Sequence, residues 1–198
     1  MKRIILVFLV VFSNSIFAQT DVQSTSLQFD SQFRFEIIRP FAFGNNSLSK
    51  SHENNIGFGI SLNLIEFRKF RIGGGYDFLN FIVTDFSKAG NFDKSNYNSI
   101  YGLVSYDLSL TENLSIVPYF GIGGINIRQK TNDVRNANQD GTEYKLGAFT
   151  DFDFGNSVSC YVRISYVYSK LKINTSPEYE KYFGQAHQIQ FAVGIKFN

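Results

Sequence analysis

The sequence predicts an all-β fold: eight antiparallel strands closed as an up-and-down transmembrane β-barrel, with short periplasmic turns and long extracellular loops. Three observations carry that prediction. Beyond residue 26 the hydrophobic period is two, not 3.6. The strands alternate between tight and long connectors, so the long loops gather at one end of the sheet. An export signal opens the chain, and no later apolar run is long enough for a membrane helix.

The signal comes first. Lys2-Arg3 is a positive n-region, Ile4–Phe12 is an apolar run, and Ser15-Ile16-Phe17-Ala18 places small residues before Gln19. That layout predicts a secretory signal peptide over residues 1–18, leaving 19–198 as the barrel domain. The nine apolar residues are too few to span about 30 Å of hydrocarbon. The chain's formal charge of +2 belongs to this segment, which has Lys2 and Arg3 and no acid. Residues 19–198 then carry 17 basic and 17 acidic side chains. Such a neutral chain lacks the basic excess that nucleic acid requires. With 22 Phe and 11 Tyr it is also far from a disordered composition. One cysteine, Cys160, leaves no internal disulfide framework.

The strands follow in order. Over 29–41 the odd positions Phe33, Phe35, Ile37, Arg39 and Phe41 form a mostly apolar face, and Arg34 and Glu36 lie opposite. Over 55–66, Ile56, Phe58, Ile60, Leu62 and Leu64 oppose Gly57, Gly59, Ser61 and Asn63. Over 71–84, Ile72, Tyr76, Phe78 and Ile82 oppose Asp77, although Leu79, Phe81 and Val83 blur the far end. Over 97–110, Ile100, Val104, Tyr106, Leu108 and Leu110 oppose Ser99, Ser105, Asp107 and Ser109. Residues 115–129 are apolar on both faces, so their orientation is left open. Over 143–154, Tyr144, Leu146, Ala148, Phe152 and Phe154 oppose Glu143, Lys145, Asp151 and Asp153. Over 158–171, Val158, Cys160, Val162, Ile164 and Tyr166 oppose Ser159, Arg163, Ser165 and Ser169. The last strand sets Ile189, Phe191, Val193, Ile195 and Phe197 against Gln188, Gln190 and Lys196.

Tight turns are expected near Phe67–Phe70, Thr111–Asn113 and Gly155–Ser157. Long polar loops are expected at Gly44–Asn54, Asp85–Asn96, Lys130–Thr142 and Lys172–Gln185, with a helical turn only at Pro177–Phe183. Alternation alone also suits a soluble periplasmic ligand-binding barrel with its apolar face inward. Strands of 12–14 residues exceed the soluble mode of about 5–6. Two aromatic bands add to the membrane reading. Tyr76, Tyr97, Tyr101, Tyr144, Tyr166 and Tyr168 mark the loop side, and Phe29, Phe67, Phe70, Tyr119, Phe154 and Phe197 the turn side. The bacterial outer membrane is the predicted location.

The leader ending Phe17-Ala18-Gln19, the eight alternating strands and the run Phe191–Phe197 resemble the small outer-membrane β-barrel family of Bacteroidota. That family includes the PorT-like proteins and is similar in design to the transmembrane half of OmpA. The resemblance covers 19–198 and implies architecture more than activity. It implies that Phe197 is the aromatic assembly signal read by the barrel assembly machinery, with Asn198 following it here. Outer-membrane lipid and lipopolysaccharide are the implied surroundings, and a surface or secretion-system protein is the implied partner.

The predicted lumen holds Arg34, Glu36, Asp77, Asp107, Glu143, Lys145, Asp151, Asp153, Arg163 and Lys196. These residues could line a narrow porin-like channel for small solutes or plug the barrel. Eight strands leave room that side chains just fill, which favours the plug. A loop-end hydrolase would have to join His52 or His187 to Asp85, Asp93, Glu178 or Glu180, and the His-x-Ser pair of the outer-membrane lipid A deacylases is missing. Cys160 reads as a small apolar residue on the lipid face. No metal spacing or phosphate-binding glycine loop occurs, so no cofactor and no enzymatic activity are expected. An envelope-structural or surface-interaction role is the leading functional expectation.

Overall fold

Alternating side chains become a closed wall because each strand finds an antiparallel partner on both sides. The computed structural model describes residues 27, 29, 31–132, 134–155 and 157–197; the signal-peptide assignment lies outside them. In chain order the elements are β1 (Gln32–Phe43), α1 (Ser47–Ser51), β2 (His52–Asn54), β3 (Gly57–Phe67), β4 (Phe70–Val83), α2 (Phe86–Ala89) and β5 (Lys94–Tyr106). There follow β6 (Leu108–Thr111), β7 (Leu114–Thr131), β8 (Val134–Asp153), β9 (Val158–Leu171), α3 (Pro177–Gly184) and β10 (Gln185–Phe197). The eight long strands run β1-β3-β4-β5-β7-β8-β9-β10, and β10 pairs back onto β1, so the wall has no free lateral edge. The two short strands are additions: β2 pairs with β4 at the loop end, and β6 pairs with β7 at the turn end.

The registers set the barrel's shape. From Phe43 the cross-strand partners run His187, Tyr168, Tyr144, Ile122, Gly102, Gly74, Leu62 and then Phe33. The circuit therefore returns to β1 ten residues before it left. A stagger of that size around eight strands gives a tilt of about 40° and a backbone radius on the order of 8 Å. Side chains from opposite walls meet across such a lumen.

Parity decides which face is which. Ile100 is 71% exposed and Leu146 63%, while Asp77, Glu143 and Lys145 are fully buried. The apolar face is outside, the reverse of a soluble ligand-binding barrel. Such a wall belongs in hydrocarbon, because its backbone polar groups are paired within the sheet. Cys160 lies on this outer face.

Several expectations are corrected. Residues Lys130–Thr142 are not a long loop: β7 and β8 stay paired to Thr131 and Val134. Asn132 takes the left-handed conformation at φ 49°, which asparagine tolerates, and this permits a tight turn. The other long connectors carry more helix than expected. Asn46 caps α1 by accepting from the Ser49 amide at 3.0 Å, and Asp85 caps α2 by accepting from the Ser87 amide at 3.1 Å. The strand expected over 97–110 breaks at Asp107 into β5 and β6. Tyr97, Tyr101 and Tyr119 are buried and do not stand in the aromatic bands. The open orientation of 115–129 resolves with Val117, Tyr119, Ile125 and Ile127 inward and Phe120 and Ile122 outward.

Candidate functional site: the filled lumen

Period-two patterning sends every second residue of eight strands into one narrow space, so the lumen is built from single residues on many strands. Toward the turn end, Arg34 of β1 donates through both terminal nitrogens to the two carboxylate oxygens of Asp151 on β8, each at 2.7 Å. Lys196 of β10 donates to the same carboxylate at 3.0 Å. The Arg34 guanidinium also lies against two rings that meet edge to face, 4.4 Å from the Phe149 centroid and 4.8 Å from that of Tyr161.

The central layer is a branched network. Lys145 pairs with Asp77 of β4 and, at 3.2 Å, with Glu143. Arg163 of β9 reaches Glu36 at 2.8 Å and Asp77 at 3.7 Å. Tyrosines supply the remaining donors: Tyr161 to Glu36 at 3.1 Å, Tyr101 to Asp77 at 3.2 Å and Tyr97 to Glu143 at 2.6 Å. Ser99 also donates to Glu143. Tyr119 accepts from Arg163 at 3.1 Å. A charge out of water needs both a counter-charge and hydrogen bonds, and these carboxylates have both. Arg34, Lys145, Arg163 and Lys196 balance Glu36, Asp77, Glu143 and Asp151.

Glycine makes room for this packing. A Cβ on Gly59 would stand 2.8 Å from both the Asp77 and the Glu36 carboxylate oxygens. One on Gly75 would stand 2.6 Å from the Tyr101 ring. The glycine run at 73–75 therefore serves side-chain packing at Gly75.

Of the ten expected lumen residues, the structure brings Arg34, Glu36, Asp77, Glu143, Lys145, Asp151, Arg163 and Lys196 into these buried layers. Asp107 and Asp153 instead lie half-buried at the turn rim. Asp107 pairs with Arg71 at 2.7 Å, and Arg71 also holds Glu66 at 2.9 Å. The Asp153 carboxylate accepts from the Gly155 amide at 3.4 Å. Sequence reasoning missed the tyrosine donors Tyr97, Tyr101 and Tyr161 and the acceptor Tyr119. Their signal was available: each shares the parity of the charged positions on its strand or of their neighbours across the sheet. Phe197 ends β10 on the outer face, its ring centroid 6.2 Å from that of Phe33.

The loop end is filled differently. Ile38, Leu79, Phe81, Tyr97, Ile125 and Ile127 form an apolar layer, and Leu48 of α1 packs into it from above. Over this layer is a cavity of about 20 Å³ lined by Ser47, His52, Ser95, Gln129, Gln139 and Tyr182 among others. It has room for a single water. The His52 ring meets Ser95 Oγ through Nε2 at 2.8 Å and Ser51 Oγ through Nδ1 at 3.0 Å. Burial pushes its pKa down, so the neutral ring is favoured. His187 is elsewhere, on the outer wall, with Nδ1 2.8 Å from the Tyr166 hydroxyl. The two histidines are not assembled with each other. Asp85 binds Lys88 at 2.6 Å, and Asp93 accepts from the Asn132 amide at 2.7 Å. Glu178 and Glu180 are exposed on α3. Among the described residues, no group of three His, Cys, Asp or Glu side chains could hold a metal.

A closed eight-stranded barrel, apolar outside and charge-filled inside, defines a small outer-membrane protein, and known structures agree. The chain is similar to Neisserial surface protein A, with a TM-score of 0.61 at 11% identity, covering 87% of this chain and 98% of that one. It is also similar to a major outer membrane protein from Thermus thermophilus, with a TM-score of 0.54 at 12% identity, covering 85% and 100%. Ail, the attachment invasion locus protein of Yersinia pestis, matches with a TM-score of 0.50 at 16% identity over 86% and 99%. No family model matches the chain. No curated protein matches it either. At these identities the likeness is one of fold. The protein is a bacterial outer-membrane β-barrel of eight strands.

Proposed function

We propose that this barrel is a non-enzymatic envelope protein, a sealed membrane anchor that holds its loop end at the cell surface for structural or interaction roles. The observation that carries this reading is the lumen itself. Four cations and four anions are paired within a wall whose radius is on the order of 8 Å, and an apolar layer with α1 covers them. Opening a water path would require separating buried pairs, which is costly. The placement of His52 among hydroxyls and of His187 on the outer wall supports the non-enzymatic part. A place near the PorT-like proteins rests on the leader, the eight alternating strands and the run Phe191–Phe197 taken together, and a secretion-system partner on that resemblance and on no individual residue.

Planar-bilayer recording of the purified protein tests the reading. The expected result is little or no steady conductance. Large, stable single-channel steps would establish the porin-like alternative instead.

A further inference from the structure

Among the described residues, the outer wall below the loop-end ring row carries a charge that no ion pair of the barrel balances. On β1, β3, β8, β9 and β10, the outward positions between the turn end and the loop-end ring row are uncharged, with a single exception. That exception is Arg39. It stands between Ile37 and Phe41 on the outer face of β1, and all three are exposed. None of the ion pairs among the described residues includes it. Its guanidinium carbon lies 6.0 Å from the Phe41 ring centroid. On one side it faces Phe191 of β10; on the other it has no strand partner, because β3 begins at Gly57 opposite Ile38.

The level of Arg39 follows from the ring row. Phe43, His187, Tyr168 and Tyr144 are successive cross-strand partners on the outer face. Tyr168 lies 5.1 Å from His187 and 6.3 Å from Tyr144, centroid to centroid. Rings of this kind mark the headgroup level. The row steps down by about 3 Å per strand because the strands tilt, so Arg39, four residues and about 10 Å below Phe43, lies at about the level of Tyr144 at the lower end of the row. Its stem is long enough to lie along the wall while the guanidinium snorkels to the headgroup region. A guanidinium in that position needs an anion, and its planar fork of donors fits a phosphate.

We infer that Arg39, beside the point where β3 begins, forms a binding site for the phosphate of an outer-leaflet lipid. The guanidinium donates to the phosphate oxygens. The acyl chains run down the apolar outer residues Ile37, Phe35, Phe58 and Ile60. The site depends on the outer-membrane location but not on the sealed lumen, so a conducting barrel would leave it intact.

Native mass spectrometry of the full-length protein in mild detergent tests this, with folding of every variant verified by heat-modifiable gel mobility. The probes are diphosphoryl lipid A, its dephosphorylated form and inorganic phosphate. Wild type is expected to retain diphosphoryl lipid A. R39Q is expected to lose at least about tenfold in retention, the size of a lost charge-assisted contact. R39K should fall between them, since it keeps the charge but not the fork. K172Q, which removes an exposed loop cation, should behave as wild type. Three outcomes overturn the proposal: equal retention by R39Q, an equal loss in K172Q, or equal retention of the dephosphorylated lipid. Displacement by inorganic phosphate at equal concentration would also overturn the lipid as the source of the phosphate.

Discussion

The middle of the lumen and its loop-end mouth are filled by the same inward parity, yet with opposite chemistry. In the middle, Asp77, Glu143, Lys145 and Arg163 are fully buried or nearly so and satisfy one another with help from tyrosines. At the mouth, Leu79, Phe81 and Ile127 are nearly as buried and need no partner, while His52, Ser95 and Tyr182 share a small cavity with Leu48, Leu171 and Phe183. The charged layer depends on pairing, because removing one member strands its counter-charge. The apolar layer depends on shape and loses only what is deleted. Both seal a narrow barrel, but they should fail differently.

The largest expected effect is at the charged layer. K145M removes the group that Asp77 and Glu143 share, and should destabilise by about 3–5 kcal/mol. Combining K145M with D77N should recover part of that loss, since fewer stranded charges then remain. Denaturant titration in lipid vesicles, followed by the gel shift, measures both. Additive losses in the double variant would show that the layer is not a coupled network.

L79A in the mouth should cost roughly 3 kcal/mol through the cavity it leaves. No second substitution of charge should rescue it. If L79A instead leaves stability unchanged but raises conductance, the apolar layer is a gate and not a structural seal.

A smaller effect separates the two regions by pH. Burial lowers the pKa of His52 from its ordinary value near 6.5. The unfolded chain therefore takes a proton below that value while the folded ring resists it. The stabilising contribution is complete above about 6.5 and fades as pH falls toward the depressed folded value. Loop-end stability should drop on acidification, and H52Q should flatten that dependence. Hydrogen exchange across Ser47–Asn54 at pH 7 and pH 5 reads it; an unchanged dependence in H52Q would assign the effect to another group.

The smallest effect is expected outside both layers. Lys88 and Ser87 hold the exposed Asp85 carboxyl at a pKa of about 2, but solvent screens the ion pair. K88Q should produce no measurable change in unfolding. A clear loss would show that α2 contributes to the seal.

Much of this was legible in the residues. The alternation of Phe33, Phe35 and Ile37 with Arg34 and Glu36 placed greasy and charged faces correctly. Helix caps at Asn46 and Asp85 were present in the sequence but too short-ranged to stand out among polar loop residues. The Lys130–Thr142 segment misled for a physical reason. Beyond the membrane both faces of a strand are solvated, so the period-two signal vanishes while the pairing continues. Leu79, Phe81 and Val83 blurred their strand because the lumen turns from charged to apolar at that height.

What the sequence alone determined is the parity of the strands other than 115–129, and with it the outer and inner faces of most of the wall, because alternation is a local property of extended chain. Only the tertiary structure decided which charges meet. Asp77 and Lys145 are 68 residues apart on strands that are not neighbours, as are Arg34 and Asp151 at 117. Their meeting depends on the ten-residue stagger that closes eight tilted strands, a quantity no single strand encodes. The same closure turned Tyr97, Tyr101, Tyr119 and Tyr161 from candidates for a lipid-facing band, or unremarked aromatics, into hydrogen-bonding partners of the lumen charges.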